Sequence, residues 1–288
     1  MIAPDLLAWV TAEAVTPEQV VPYVCAVAGS RARMVGSCVG FDSGGEFVLV
    51  GYPMHDPLDV GAMTDAVNQA LQIRGLRRIT VIGSVRPPQA PDRSIATEDC
   101  YYALPMPPPP PGQKLRNLLR RAGRELTLDG AHQYGDDHMA LVQRYLEERH
   151  LATGTRHIFR QLPRYLAASA GSLLLSARLA DGRLAAFAVG EFAASRTAFY
   201  MFSFREPRLA PPGASDFLLS GLLDEARERG HAQINLGLGV NEGISFFKRK
   251  WGAVPFLPYV QVSWETGSPG PFSRLRGLVE AMNWKGSS

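Results

Sequence analysis

The chain has 288 residues, of which 46% are hydrophobic and 20% charged, and its formal net charge is +3. This composition supports one large domain or two of ordinary size, and it excludes polyanion binding by overall charge, so any such binding must come from local clusters. The three cysteines, Cys25, Cys38 and Cys100, are far apart and form no C-x-x-C pair, which predicts reduced thiols and no metal site.

The N-terminal stretch MIAPDLLAWVTAEAV is untypical of a signal peptide, because it carries Asp5 and Glu13 and no basic segment. No window of the sequence approaches 18 uninterrupted apolar residues, the length that predicts a transmembrane helix. We therefore expect a soluble, cytoplasmic protein.

The first part of the chain predicts strands at 33–41 and 46–52 joined by a Ser-Gly-Gly turn, a helix at 59–74 and a short buried strand at 78–83. Five prolines at 107–111 follow. They fit neither a helix nor a central strand and favour an extended segment. The sequence therefore predicts two parts, residues 1–106 and 113–288, joined by a proline-rich strap at 107–112.

The second part has a clearer periodicity. Helices are predicted at 113–126, 136–150 and 155–168, strands at 172–180, 183–193 and 196–204, and then a helix at 214–229, a strand at 232–237, a short helix at 241–250 and a strand at 254–263. Asp181-Gly182 is a typical hairpin turn, and Gly230 is a typical helix C-cap. An antiparallel meander with a crossover helix predicts an α/β or α+β fold with mixed sheets flanked by helices.

This order of elements is the one found in Gcn5-related N-acyltransferases (GNAT). Within it, PPGASDFLLSGLLDEARERG and INLGLGVNEGISFFKRKWGAVPFLPY resemble the C-terminal domain of the phosphatidylglycerol lysyltransferases, which are related in fold to the FemX-like transferases. The shared pattern is P-x-G-x-x-D at a helix start, N-L-G at a strand end, F-K-x-K-W and a distal Tyr. The resemblance covers about 150–262. It implies two acyltransferase-like halves in tandem, a degenerate first half and an active second half, with aminoacyl-tRNA as the acyl donor.

The helix start at 208–217 bears on the choice of donor. Coenzyme A-dependent members of the fold hold a pyrophosphate on the backbone N–H groups at this position. Pro211 and Pro212 supply no N–H, and Asp216 places a carboxylate in the first turn, although Gly213 and its neighbours still offer donors. This pattern argues against coenzyme A. Asp216 itself is either a helix-capping carboxylate or a residue that orients the reacting amine or accepts its proton.

The segment 234–251 joins an apolar strand to a basic helix. In this fold the strand splays from its neighbour, and the acyl chain lies in the gap, which glycines allow it to approach closely. The acyl or acceptor pocket is therefore predicted from Tyr200, Arg205, Asn235, Gly237, Gly239 and Glu242.

The basic helix is predicted to bury Phe246, Phe247 and Trp251 and to present its cations to the donor. Lys248 or Lys250 would contact donor phosphates or stabilise the oxyanion of the tetrahedral intermediate, or else the cations only complement the helix dipole. The predicted catalytic set is Asp216, Asn241 and Lys248, with Arg249 and Lys250 binding the donor.

The helix at 113–126 carries five cations and one Glu. Exposed helix faces usually mix charges for i,i+4 pairing, and arginine suits bidentate phosphate contacts. The alternative is a solvated face. The predicted donor-binding residues here are Lys114, Arg116, Arg120, Arg121 and Arg124.

The preferred function is transfer of an aminoacyl group from charged tRNA to a nucleophile on a small molecule, a peptide or a lipid head group. The donor is an activated ester, so neither a metal nor a cofactor is required. The alternatives are an N-acyltransferase that uses acyl-coenzyme A or an acyl carrier protein, and a non-catalytic module that binds RNA or an anionic surface. The amino acid, the acceptor and the oligomeric state stay open.

Overall fold

The computed structural model describes residues 4–130 and 133–266. The first part of the chain begins with α1 (Pro4–Ala12), a short 3-10 turn (Pro17–Gln19) and α2 (Val21–Ala28). It continues with β1 (Arg31–Val35), β2 (Cys38–Ser43), β3 (Glu46–Gly51), α3 (Val60–Leu71), β4 (Arg78–Gly83) and β5 (Ala96–Pro105). Strands β1 to β3 form an antiparallel meander, and α3 crosses over to β4, which runs parallel to β3.

The second part repeats this order. It contains α4 (Gln113–Glu125), β6 (Leu126–Asp129), α5 (Asp136–Glu148), α6 (Thr153–Arg160), α7 (Leu162–Ala168), β7 (Ser172–Leu179), β8 (Leu184–Glu191), β9 (Thr197–Arg205), α8 (Ala214–Glu228), β10 (Gln233–Leu238), α9 (Glu242–Lys250) and β11 (Val254–Glu265). Strands β7 to β9 form the meander, and α8 crosses over to β10, which runs parallel to β9.

Within the described residues, the strands form one eleven-stranded sheet in the order β1-β2-β3-β4-β11-β5-β10-β9-β8-β7-β6. The two halves exchange their last strands. Strand β11 lies between β4 and β5, and β5 pairs with β10. The largest core cluster contains side chains from both halves, for example Val10 and Tyr52 from the first and Leu174 and Phe204 from the second. The halves therefore share their sheet and much of their core.

The two parallel strand pairs differ in length. Strands β3 and β4 pair along their whole length, from Glu46–Gly51 to Arg78–Gly83. Strand β10 pairs with β9 only at Gln233, Ile234 and Asn235 and then diverges from it. Among the strands that the structure describes, the second half alone has an opening between parallel strands at this place.

Most predicted elements of the second part are confirmed, and the structure corrects several others. The predicted strand 33–41 is two strands, because Gly36 has φ 57° and turns the chain. The predicted helix 155–168 is two helices that meet at Gln161, because Pro163 in the first turn of α7 cannot donate a backbone hydrogen bond to the preceding helix. The sequence did not predict α1, α2, β5 or β6.

The proline-rich segment follows β5, and Pro109 packs so closely on Gly252 that a Cβ there would meet its Cγ at 2.5 Å. The division of the chain at 107–112 stays a prediction, and residues 267–288 lie outside the described residues. No helix in the described ranges is long and apolar enough to cross a bilayer.

Candidate active site

A cavity of about 380 Å³ opens where β9 and β10 separate. Both diverging strands line it, with Tyr200 to Phe204 on one side and Leu236 to Leu238 on the other, and Lys248 of α9 joins them. The first half contributes Glu18, Tyr23 and Tyr101 to the same wall. The site is therefore built from both halves of the chain, with its opening in the second.

The side chain of Asn235 fixes the point at which the strands separate. It is fully buried, its Oδ1 accepts a hydrogen bond from the N–H of Gly237 at 2.7 Å, and its Nδ2 donates to the carbonyl of Val15 at 2.9 Å. Gly237 has φ 80°, a conformation that strongly favours glycine. The N–H of Gly237 is thus bonded to the Asn235 side chain and does not continue the pairing with β9. The chain bulges at this point and forms part of the cavity wall.

Asp99 of β5 holds the turn that follows β10. Its carboxylate accepts hydrogen bonds from the N–H groups of Gly239 at 3.0 Å and Val240 at 2.8 Å. A Cβ at position 239 would lie 2.7 Å from Asp99 Oδ1, which explains the glycine there. Asn241 then caps α9 by accepting a hydrogen bond from the N–H of Ile244 at 2.9 Å. These contacts set the position of α9 beside the strand opening.

Lys248 is the basic group of the cavity wall. Its side chain is buried (4% exposed), and its Nζ donates a hydrogen bond to the carbonyl of Leu238. The Nζ also lies 5.5 Å from the centre of the Tyr102 ring. Burial lowers the pKa of Lys248 from 10.5 to about 7, and the nearby Asp99 and Cys100 offset only part of that effect. Near neutral pH the amine is therefore present in both protonation states.

Asp216 joins α8 to the end of α9. It is 5% exposed, and its Oδ1 accepts a hydrogen bond from Trp251 Nε1 at 2.9 Å and forms an ion pair with Lys250 Nζ at 2.6 Å. Arg249 is exposed and pairs with Glu242. Asp216, Lys250 and Arg249 are thus engaged with other side chains of the protein, and none of them lines the cavity.

Of the residues predicted from the sequence, the structure brings Lys248, Tyr200 and Gly237 together on the cavity wall. Burial raises the pKa of Tyr200 to about 12, so its phenol stays protonated. Asn235 and Gly239 do not line the cavity and instead fix the backbone beside it.

Arg205 and Glu242 are exposed and lie outside the cavity wall. Phe246 was expected in the core but is 61% exposed. The prediction was wrong because α9 turns Ser245 and Lys248 inward instead.

The five predicted cations of α4 are all exposed, and within the described residues this helix has one ion pair, Arg121 with Glu125 at 3.4 Å. The helix packs across the start of α8: a Cβ on Gly213 would lie 2.9 Å from the carbonyl oxygen of Leu118. Ser215, two residues further along, lines the cavity. The cationic face therefore lies on the helix that covers the start of α8, beside the cavity.

Sequence reasoning missed Glu18, Tyr23, Tyr101 and Asp99, all of which lie in the first half. The sequence gives no local signal for Glu18, because Thr16-Pro17-Glu18-Gln19 is a typical helix start, where an acidic residue in the first turn is expected at the surface. Among the described residues, no group of three or more His, Cys, Asp or Glu side chains is placed to hold a metal ion. The three cysteines are free thiols.

Comparison with solved structures identifies the fold. The chain is similar to the C-terminal DUF2156 domain of a protein named as a lysylphosphatidylglycerol synthetase of Agrobacterium fabrum, with a TM-score of 0.61 and 17% identity over 94% of this chain and 93% of that one. It is similar to L-PGS of Bacillus licheniformis, with a TM-score of 0.58 and 13% identity over 98% and 96% of the two chains. FemX gives a TM-score of 0.61 and 11% identity over 90% and 96%.

The family described as Acetyltransferase (GNAT) domain matches residues 112–249. The chain has a tandem GNAT fold. The expected fold class and the resemblance drawn from the sequence are both confirmed. No curated protein matches the sequence significantly. In this tandem GNAT fold the strand opening lies within the matched segment, whereas the corresponding strands of the first half stay paired.

Proposed function

We propose that this tandem GNAT protein transfers an aminoacyl group from a charged tRNA to a nucleophile on a small molecule, a peptide or a lipid head group. The observation that carries the proposal is the buried amine of Lys248 on the wall of the strand opening. Structural similarity to L-PGS and FemX supports the aminoacyl donor. The tandem GNAT fold supports acyl transfer in general.

In the proposed reaction the donor's ester carbonyl lies beside the bulged backbone at Gly237 and Leu238. The nucleophile attacks the carbonyl carbon, a new C–N or C–O bond forms, and its proton passes to the neutral amine of Lys248. The ester C–O bond then breaks, and the protonated Lys248 returns that proton to the departing ribose oxygen. A base with a pKa near the working pH is suited to both transfers, and the pKa of Lys248 is lowered to about 7 by burial.

The exposed cations of α4 are proposed to bind the phosphates of the tRNA. Four of the five lack an acidic partner among the described residues, so little local charge competes with a phosphate. Because α4 lies across the start of α8 and Ser215 of that helix lines the cavity, a strand bound to α4 would have its end near the opening.

The start of α8 favours this donor over coenzyme A. Pro211 and Pro212 supply no N–H groups, and the N–H of Ala214 donates to the carbonyl of Pro211 at 3.1 Å. The buried carboxylate of Asp216 follows within the first turn. A pyrophosphate there would meet fewer free N–H donors than a helix start usually offers, and it would lie near a carboxylate that is paired with Lys250.

The experiment is single-turnover loss of each aminoacyl group from purified charged tRNAs, with a panel of amines and hydroxyl compounds as acceptors. The parent protein should deacylate one class of charged tRNA in the presence of one acceptor class, and Lys248→Met should not. The exposed Arg227 of α8 pairs with Asp224, away from the cavity wall, so Arg227→Met is the matched control and should retain the parent rate.

Acyl-coenzyme A is the second candidate donor, favoured by the GNAT acetyltransferase match at 112–249. A ligand that binds only the folded protein must raise its melting temperature. If millimolar acetyl-coenzyme A raises the melting temperature by several degrees and uncharged tRNA does not bind, the coenzyme replaces tRNA in the proposal.

A further inference from the structure

The part of the cavity wall that comes from the first half holds a carboxyl group that the proposed proton transfers do not use. Glu18 is 3% exposed, and its Oε2 has no hydrogen-bond partner among the described residues. Tyr101 is 1% exposed, and its hydroxyl lies close enough to interact with the Glu18 carboxyl but makes no hydrogen bond of normal geometry among them. Both residues line the cavity. Buried polar atoms without well-formed hydrogen bonds are costly in a folded protein, and because both residues line the cavity, a ligand there would be in place to satisfy them.

A second buried carboxylate in the same protein shows the contrast. Glu191 is fully buried, and its Oε2 accepts hydrogen bonds from the hydroxyls of Tyr165 at 2.8 Å and Ser169 at 2.6 Å. Its Oε1 accepts from the N–H groups of Phe192 and Ala193. Where a buried carboxylate only supports the fold, the surrounding residues satisfy it. Glu18 differs because its unsatisfied oxygen belongs to a residue of the cavity wall.

The groups around Glu18 suit a cation. Burial and, after it, the Glu18 charge raise the pKa of four surrounding phenols, those of Tyr23, Tyr52, Tyr101 and Tyr259. Tyr101 makes edge-to-face contacts with the rings of Tyr52 at 6.1 Å and Tyr259 at 5.7 Å. Tyrosine rings attract cations across their faces. Of these four rings, those of Tyr23 and Tyr101 line the cavity, and together with the Glu18 carboxyl they form a site for a positively charged group.

The protein itself supplies no such charge. In the described ranges, no arginine, lysine or histidine forms an ion pair with Glu18. Burial raises the pKa of Glu18, and hydrogen bonding to its own backbone N–H and to the side chains of Tyr101 and Thr16 offsets only part of this effect. Lys248 Nζ donates to the carbonyl of Leu238 and lies 5.5 Å from the centre of the Tyr102 ring. A ligand cation would supply the missing partner of the carboxylate.

We infer that the part of the cavity at Glu18 binds a protonated primary amino group of the substrate, with Glu18 as its counter-ion and Tyr23 and Tyr101 as aromatic neighbours. The inference rests on the proposed function and adds a substrate class to it, namely substrates with an ammonium group apart from the reacting carbonyl. That group belongs either to the aminoacyl part of the donor or to the acceptor, and both present the same chemistry.

The test measures binding of small probes by calorimetry and thermal shift, without tRNA. The donor-like probes are N-acetyllysine methylamide, norleucine methylamide and the neutral N-acetylnorleucine methylamide. The acceptor-like pair is 1,4-diaminobutane and 1,4-butanediol. Glu18→Gln keeps the shape of the side chain and removes its charge. Glu13→Gln makes the same charge change at an exposed position and is the matched control.

At least one cationic probe should bind the parent and Glu13→Gln, and should bind Glu18→Gln about tenfold more weakly or worse, because hydrogen bonds between charged partners contribute more than neutral ones. The neutral probes should not distinguish the three proteins. The cationic probe that binds identifies the donor or the acceptor as the source of the ammonium.

Equal binding of cationic probes and their neutral counterparts, no binding of any cationic probe, or undiminished binding to Glu18→Gln would overturn the inference. A melting curve shows that each variant is folded, and Tyr101→Phe, which keeps the ring, gives a second folded variant of the site. Because no tRNA is used, cation binding without deacylation of tRNA would refute the proposed donor and leave the inference standing. Deacylation of tRNA without binding of any cationic probe would support the proposed donor and refute the cation site at Glu18.

Discussion

Replacing Lys248 with Met tests the site most sharply, because the change removes one amine and keeps a long apolar side chain in its place. Lys248 is 4% exposed and lines the cavity beside Gly237. If the amine carries the proton of the nucleophile, transfer should slow by about 10²–10⁴-fold, the usual contribution of a positioned acid or base. Single-turnover deacylation of charged tRNA measures the loss.

The same change should leave the protein at least as stable. The fall of the Lys248 pKa from 10.5 to about 7 corresponds to about 5 kcal/mol of unfavourable burial of the charge, at ~1.36 kcal/mol per pKa unit. Loss of the hydrogen bond to Leu238 takes back about 1.5–3 kcal/mol. The expected net result is a gain on the order of 2 kcal/mol and a melting temperature a few degrees higher.

The sign of the pH dependence follows from the direction of the shift. The folded-state pKa lies below the unfolded value, so the unfolded chain holds the proton more tightly between about pH 7 and 10.5. The destabilisation by Lys248 is complete below about pH 7 and fades as the pH rises toward 10.5. The stability advantage of Lys248→Met should fade in the same range. The parent's transfer rate should rise through about pH 7, as a neutral amine base requires.

Full transfer activity in Lys248→Met, at parental or higher stability, would show that the Lys248 amine does not carry the proton of the nucleophile. Lys248→Arg separates a proton carrier from a fixed positive charge, because arginine stays protonated. It should not restore the rate or its rise near pH 7. A fully active arginine variant would mean that the position supplies only positive charge, as for an oxyanion or a phosphate. Arg227→Met controls for the loss of a cation elsewhere.

Three other predictions concern separate parts of the molecule. Changing Arg116, Arg120 and Arg124 together to Gln should weaken tRNA binding. It should also reduce the steepness of log K against log salt concentration by about 2–3, because binding would then neutralise fewer phosphates and release fewer counterions. If the variant binds tRNA like the parent at two salt concentrations, the arginines only face solvent. Asp216→Asn should lower stability by about 1.5–3 kcal/mol in a urea titration, because charged hydrogen bonds to Trp251 and Lys250 are weakened; an unchanged midpoint with lost transfer would instead support the catalytic role predicted from the sequence. Glu18→Gln should have a higher melting temperature than the unliganded parent, and the difference should grow as the pH rises above the usual carboxyl pKa of 4.5. The reason is that the folded-state pKa of Glu18 is raised, so ionisation of the carboxyl destabilises the folded parent at higher pH. A difference that does not change with pH would contradict a buried carboxylate that lacks a cationic partner.

The sequence predicted the second half well because its signals are local. The glycines after α8 and in the β7–β8 turn mark where those elements end. The alternation of apolar residues marks the strands, so each element is specified by residues within or next to it. Lys248 was selected through the resemblance. Its burial was not predicted, because the sequence favoured Phe246, Phe247 and Trp251 for the buried face, whereas the structure buries Lys248 and exposes Phe246.

The contribution of the first half could not be predicted from local patterns. Glu18 and Tyr101 reach the cavity because β5 and β11 exchange places in the sheet and bring the halves together. Pairing of this kind depends on contacts between residues more than a hundred positions apart, such as Tyr101 with Leu257 and Leu238. Asp99 shows the same limit, because its partners Gly239 and Val240 lie 140 or more residues away.

Transfer of the aminoacyl group from tRNA to an acceptor can be measured directly. The complete set of charged tRNAs, each labelled on its amino acid, is incubated with the parent protein or Lys248→Met and the acceptor panel, and the labelled products are separated. With the parent, label should leave one class of tRNA and appear on one class of acceptor, and this transfer should be lost with the variant. Retention of label on every tRNA, or equal transfer by the two proteins, would contradict the proposed role of Lys248 in aminoacyl transfer.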